Sequence, residues 1–161
     1  MKPNSKLERQ LLVLHIFHYC DVTEYAEITS LIENVSRRTI DRDIAELTEA
    51  GLLDVIFSRK HNGFIHKRGN KASNITKPPT DNKAKQAHLN KLIRLSRVMF
   101  GFHPDSKDNI MDWYAEQYPN VSKRTAQRDL QILTGIGYGI WYDFYDKEYR
   151  YDFPYGMMSI F

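Results

Sequence analysis

The chain repeats itself, and that constrains its fold more than any other feature. Residues 35–51 read VSRRTIDRDIAELTEAG and residues 121–137 read VSKRTAQRDLQILTGIG. The offset is 86 residues without a gap, and nine of the seventeen positions are identical. They are Val35/Val121, Ser36/Ser122, Arg38/Arg124, Thr39/Thr125, Arg42/Arg128, Asp43/Asp129, Leu47/Leu133, Thr48/Thr134 and Gly51/Gly137. A chain of 161 residues has room for one ordinary domain or two small ones. The repeat selects two copies of one small unit.

The flanks of the two copies also correspond. Two helix-like segments precede each: about Ser5 to Tyr19 and Glu24 to Glu33, then about Ala87 to Phe100 and Lys107 to Gln117, with Ser106 as N-cap of the last. Two strand-like runs follow each copy. The first pair is Leu52 to Phe57 and Phe64 to Lys67, joined through Asn62-Gly63. The second is Tyr138 to Phe144 and Glu148 to Phe153, joined near Asp146-Lys147. Each unit reads helix, helix, helix, hairpin, which predicts a mainly α chain with small β-hairpins, of α+β class. The polar stretch 69–86, with Pro78 and Pro79, reads as a linker between units 1–68 and 87–161.

The third helix of each unit carries the chemistry. Ser36 is its expected N-cap, and Ile40, Ile44 and Leu47 fall at i, i+4 and i+7 as one buried stripe. Ala126, Leu130 and Leu133 repeat the stripe. The opposite face carries Arg37, Arg38, Asp41, Arg42 and Ala45, or Lys123, Arg124, Gln127, Arg128 and Gln131. Gly51 and Gly137 suit the left-handed turn that ends a helix. A DNA major groove is about 12 Å wide and admits one helix. Arg bonds guanine at two points and Gln does the same with adenine, while Ser, Thr and helix N-termini hold phosphates. Ser36, Arg38, Thr39, Arg42 and their repeats Ser122, Arg124, Thr125 and Arg128 are therefore expected to bind DNA, with Arg38, Arg124, Thr39 and Thr125 mainly on phosphate; the alternative for Arg42 and Arg128 is a structural role beside Asp43 and Asp129. Arg37, Lys123, Gln127 and Gln131 are expected on bases. Asp43 and Asp129 are expected to orient neighbours within the fold. Asp41 repels phosphate and can only accept from a base such as cytosine.

The pattern V-S-x-R-T-x-x-R-D-L-x-x-L-x-x-x-G resembles the winged helix-turn-helix of DeoR-type regulators and the N-terminal domain of WYL-domain regulators. The first copy has Ile44 where the second has Leu130. The resemblance covers seventeen residues in each half. It implies a fold of two tandem winged helix-turn-helix domains, each with its third helix in the major groove, and a transcription regulator. Those families carry a larger C-terminal effector domain. Here a second winged helix is expected in its place.

Charge is unevenly spread although the net value is only +3. Residues 1–58 balance at −4, residues 59–94 at +9 and residues 95–161 at −2. The basic block covers the first hairpin (Arg59, Lys60, Lys67, Arg68), the linker (Lys71, Lys77, Lys83, Lys85) and Lys91 and Arg94. Clustered cations release counterions from DNA, so Arg59, Lys60, Lys67 and Arg68 join the expected DNA contacts. The second hairpin is acidic, with Asp143, Asp146, Glu148 and Asp152 against Lys147 and Arg150. Ten of the twenty Phe, Trp and Tyr residues lie between Tyr138 and Phe161. Tyr149, Tyr151 and Phe153 alternate with charges as a half-buried strand. Trp141, Tyr145, Tyr155 and the tail Met157, Met158, Ile160 and Phe161 exceed what a small hairpin needs. They point to a homodimer through the aromatic C-terminal region, which a palindromic DNA site would match.

Other chemistries lack their residues. A single cysteine, Cys20, allows no internal disulfide or cysteine-rich zinc site and fits a cytoplasmic location. Basic Lys2, Lys6 and Arg9 precede the apolar run Leu11–Phe17, but Glu8, Gln10 and His15 break a secretion signal. The run is also too short to span a membrane. No phosphate loop, dinucleotide fingerprint or H-E-x-x-H motif occurs, and His15, His18 and Cys20 fit no standard metal spacing. No cofactor, metal or catalytic group is expected. Three functions stay open: a sequence-specific repressor, a plasmid or phage replication initiator, and a protein-binding adaptor or anti-repressor built on winged helices.

Overall fold

A computed structural model describes residues 2–67, 80–102 and 109–151. Among them the chain is mixed α+β, with six helices and two small antiparallel sheets. In chain order the elements are α1 (Lys6–Tyr19), β1 (Val22–Glu24), α2 (Tyr25–Leu31), α3 (Arg37–Glu49), β2 (Val55–Ser58), β3 (Gly63–His66), α4 (Lys83–Gly101), α5 (Ile110–Gln117), α6 (Lys123–Gly135), β4 (Ile140–Asp143) and β5 (Glu148–Tyr151). Two compact units divide the chain, Met1–Ser96 and Arg97–Phe161, so the first turns of α4 go with the first unit. Most of the expected linker lies outside the described residues. Its last four residues, 83–86, already belong to α4.

In the first unit α1 is the central element. Ser5 caps it by accepting from the Glu8 N–H at 3.2 Å. Every residue from Leu11 to Phe17 is buried, so this helix is covered on all sides rather than along one stripe. Polar groups at its N-terminal end tie it to α3. The Arg9 guanidinium holds the Asp43 carboxylate at 2.5 and 3.2 Å, and Lys6 and Gln10 both reach Glu46. Burial raises the Glu46 carboxyl, but the hydrogen bonds from Lys6 and Gln10 outweigh it and hold the group below its ordinary pKa. The start of α4 adds His88 against the Gln10 side chain at 2.7 Å and Lys85 against Glu49 at 2.7 Å.

The sheet has three strands in the order β1-β3-β2. The sequence gives no signal for β1, because three residues are too few for alternation to register. The Asn62-Gly63 pair also works differently from a two-residue turn. Four residues, 59–62, join the strands, and Asn62 takes the left-handed conformation at φ 44°. Gly63 opens β3 opposite Glu24. A Cβ on Gly63 would lie 2.3 Å from the Thr23 carbonyl oxygen, so the glycine is needed for the close approach of β1. Gly63→Ala is expected to cost about 1–3 kcal/mol, read as a lowered denaturation midpoint. An unchanged midpoint would show that β1 tolerates a side chain there.

His15 lies on the buried part of α1. Burial, and then the nearby His18, push its pKa from 6.5 down to about 4. The folded state therefore keeps the ring neutral where the unfolded chain already binds a proton. Stability is expected to fall as pH drops from 6.5 to about 4, by about 3 kcal/mol in all. The decline should flatten in His15→Leu, measured by urea unfolding at pH 7.5 and 4.5. Equal losses in both proteins would remove His15 as the cause.

The second unit holds the end of α4, then α5, α6 and the two-stranded sheet β4-β5. α5 runs from Ile110, where the Asn109 side chain caps it by accepting from Met111 N–H at 2.8 Å, and Lys107 lies outside the described residues. Ser106 lies outside the described residues. Phe102 packs edge-on against Trp113 and Tyr151, and the Tyr138 hydroxyl donates to the Met99 carbonyl. β4 ends at Asp143, so Phe144, expected in the strand, stands in the turn. Tyr149 and Tyr151 are half-buried and alternate with exposed Glu148 and Arg150, as expected of β5.

Candidate nucleic-acid interface

The two repeat helices are capped alike at both ends. Ser36 accepts from the Thr39 N–H at 3.2 Å, and Ser122 accepts from Thr125 N–H at the same distance. In each pair the two hydroxyls also bond to each other, at 2.9 and 3.0 Å. These four side chains hold the helix starts. At the other end Leu47 and Leu133 carbonyls accept from Leu52 and Tyr138, with Gly51 and Gly137 left-handed between them at φ 71° and 84°. The inward stripes are buried as expected: Ile40, Ile44 and Leu47, then Ala126, Leu130 and Leu133.

Asp43 and Asp129 are fully buried on the inner side of their helices. The same aspartate serves a different bond in each copy. Asp43 is held by Arg9 of α1, whereas Asp129 accepts from the Tyr114 hydroxyl of α5 at 2.7 Å. Neither faces outward, in keeping with an orienting role within the fold.

The outward faces follow from helix geometry. At 3.6 residues per turn, Arg38, Arg42 and Ala45 lie opposite the α3 stripe, as do Arg124, Arg128 and Gln131 on α6. All four of these arginines and Gln131 are exposed. Among the described residues, none of these four arginines takes part in an ion pair. They can bind an anion without first breaking an internal bond. Neither helix has an acid in its first turn, where acids are favoured, and each has two cations there instead. Gln127 is half-buried and Lys123 exposed on the flank of α6.

Arg37 is held by aromatic contacts that sequence reading missed. Its guanidinium sits 3.9 Å from the Tyr25 ring centroid on α2 and 5.9 Å from that of Phe57 on β2. The Tyr25 hydroxyl donates to Asp41, the next outward residue on that flank. Burial, and then the bond to Asp41, raise the Tyr25 pKa. Asp41 is thus occupied within the fold. These contacts join α2, α3 and the first hairpin, and no local pattern announces them.

Arg59 and Lys60 stand exposed at the tip of the first hairpin. Lys67 lies beyond the other end of β3, where it pairs with Asp54 at 3.4 Å. Arg68 lies outside the described residues, as do Tyr155, Met157, Met158, Ile160 and Phe161. On the second hairpin, Trp141 and Tyr145 are exposed. Among the described residues no helix is long and apolar enough to cross a membrane, and no three His, Cys, Asp or Glu side chains are grouped to hold a metal ion. Comparisons with family models, curated proteins and solved structures gave no match to this chain.

Proposed function

We propose that the protein is a sequence-specific double-stranded DNA-binding transcription regulator, a repressor that acts by occupying its operator. In this reading each unit is a winged helix-turn-helix, and α3 and α6 are the helices that enter the major groove. The observation that carries it is the row Arg38–Arg42 on α3 and its repeat Arg124–Arg128 on α6. Both rows are exposed, free of internal ion pairs, and set on helices with matching caps. The basic tip Arg59-Lys60 supports a phosphate contact by the first hairpin. Base reading falls to Arg37, pre-set by its stack on Tyr25, and to Lys123, Gln127 and Gln131.

Titration of a labelled duplex at several salt concentrations tests this reading. Binding should weaken steeply with salt, with a log–log slope of about −0.9 for each phosphate contacted. Binding that is absent, or indifferent to salt, would reject DNA as the partner and favour the protein-binding adaptor.

A further inference from the structure

The two hairpins share the length of their tip and a left-handed last residue in it, and differ in what they display there. In each, four residues join the strands: 59–62 in the first and 144–147 in the second. The fourth is left-handed in both, Asn62 at φ 44° and Lys147 at φ 57°. The strand ends therefore align at an offset of 85, one short of the offset in the helices. At that offset Arg59 and Lys60 correspond to Phe144 and Tyr145. One copy carries two cations where the other carries two aromatic rings.

The rings are not hairpin core. Phe144 is 82% and Tyr145 97% exposed. The hairpin packs without Tyr145, since Tyr142 meets Tyr149 and Phe144 edge-on at 5.0 and 5.1 Å. The turn beneath them is fixed. The Asp143 carboxylate accepts from the N–H groups of Tyr145 and Asp146 at 2.9 and 3.3 Å. Arg150 bonds both Asp143 and Asp146 and so offsets the acids next to the rings. Two rings on a four-residue tip are also a small area. Each aromatic buries at most about 250 Å², against about 1,200 Å² or more for a stable protein interface.

We infer that the second hairpin tip is a nucleobase-stacking element, in which Phe144 and Tyr145 offer ring faces to bases where Arg59 and Lys60 of the first hairpin meet phosphates. The inference rests on the DNA-binding reading above. Aromatic side chains stack on any base, and an unpaired strand or an opened duplex step exposes the same base face.

The test uses the full chain and three DNAs of equal length: an intact duplex, a duplex with a central run of mismatches, and a single strand. Each carries 2-aminopurine at its centre. Wild type should change the 2-aminopurine fluorescence on at least one DNA. Phe144→Ala with Tyr145→Ala should abolish that change and weaken binding to the same DNA about tenfold or more, with the salt slope intact. Phe144→Tyr with Tyr145→Phe should keep both. A response on the intact duplex identifies an opened step, and one confined to the other two identifies unpaired bases. Salt-dependent wild-type binding that the double alanine variant reproduces on all three DNAs, with the same fluorescence, overturns this inference and leaves the DNA-binding reading standing. Absence of salt-dependent binding by wild type removes both. Loss of self-association in the alanine variant with unchanged DNA affinity assigns the tip to contact between copies and also overturns it.

Discussion

Arg38→Ala combined with Arg42→Ala is expected to weaken duplex binding about a hundredfold at about 0.15 M salt. Both arginines stand on the centre of the exposed face of α3, one turn apart, with no internal ion pair to lose. A hydrogen bond to a charged group contributes about 1.5–3 kcal/mol, so the loss of two accounts for that factor. The salt slope should fall in magnitude by about 2, one for each cation removed. Folding should barely change, because exposed substitutions away from caps and partners stay within about 0.5 kcal/mol each. Arg124→Ala with Arg128→Ala measures the share of α6 in the same way. A folded Arg38/Arg42 variant that binds as wild type does would take α3 out of the interface.

Asp43→Ala is expected to act on the fold and leave the outward face intact. The Asp43 side chain is 1% exposed and is held by two bonds from Arg9, which is 22% exposed. Removing one partner of a buried pair costs about 3–5 kcal/mol, and the partial access of Arg9 to water lowers this to about 2–3 kcal/mol. Arg9→Ala should cost a similar amount, since it strands the buried carboxylate. The double variant should lose clearly less than the sum of the two, with a coupling of about 1 kcal/mol or more by urea unfolding. Strict additivity would mean that the pair does not join α1 to α3.

Much of this architecture was legible because its signals are local. Ser36, Ser122, Gly51 and Gly137 mark the ends of α3 and α6 within one turn of chain. The stripes Ile40-Ile44-Leu47 and Ala126-Leu130-Leu133 carry the helical period. What escaped reading is long-range. The identical residues Asp43 and Asp129 gave no hint that their partners differ. At the repeat offset Ile28 stands for Tyr114, so the hydroxyl that bonds Asp129 from α5 has no counterpart beside Asp43, which Arg9 of α1 holds. The stack of Arg37 on Tyr25 and Phe57 joins residues far apart in the chain, and neither aromatic is unusual by itself. β1 is too short to show a period, and only the contact at Gly63 reveals its place. Phe144 reads as the end of an apolar strand until its hairpin is aligned with the first. That alignment needs a shift of one residue, which a gapless repeat conceals.

Selection of bound sequences from a random duplex pool at about 0.15 M salt tests the central claim most directly. Recovery of a consensus is the predicted result, with enrichment lost when Arg38, Arg42, Arg124 and Arg128 are all replaced by Ala. A two-fold symmetric consensus would fit a dimeric regulator, and direct repeats an initiator. Retention without any consensus, or no retention, would contradict sequence reading by α3 and α6.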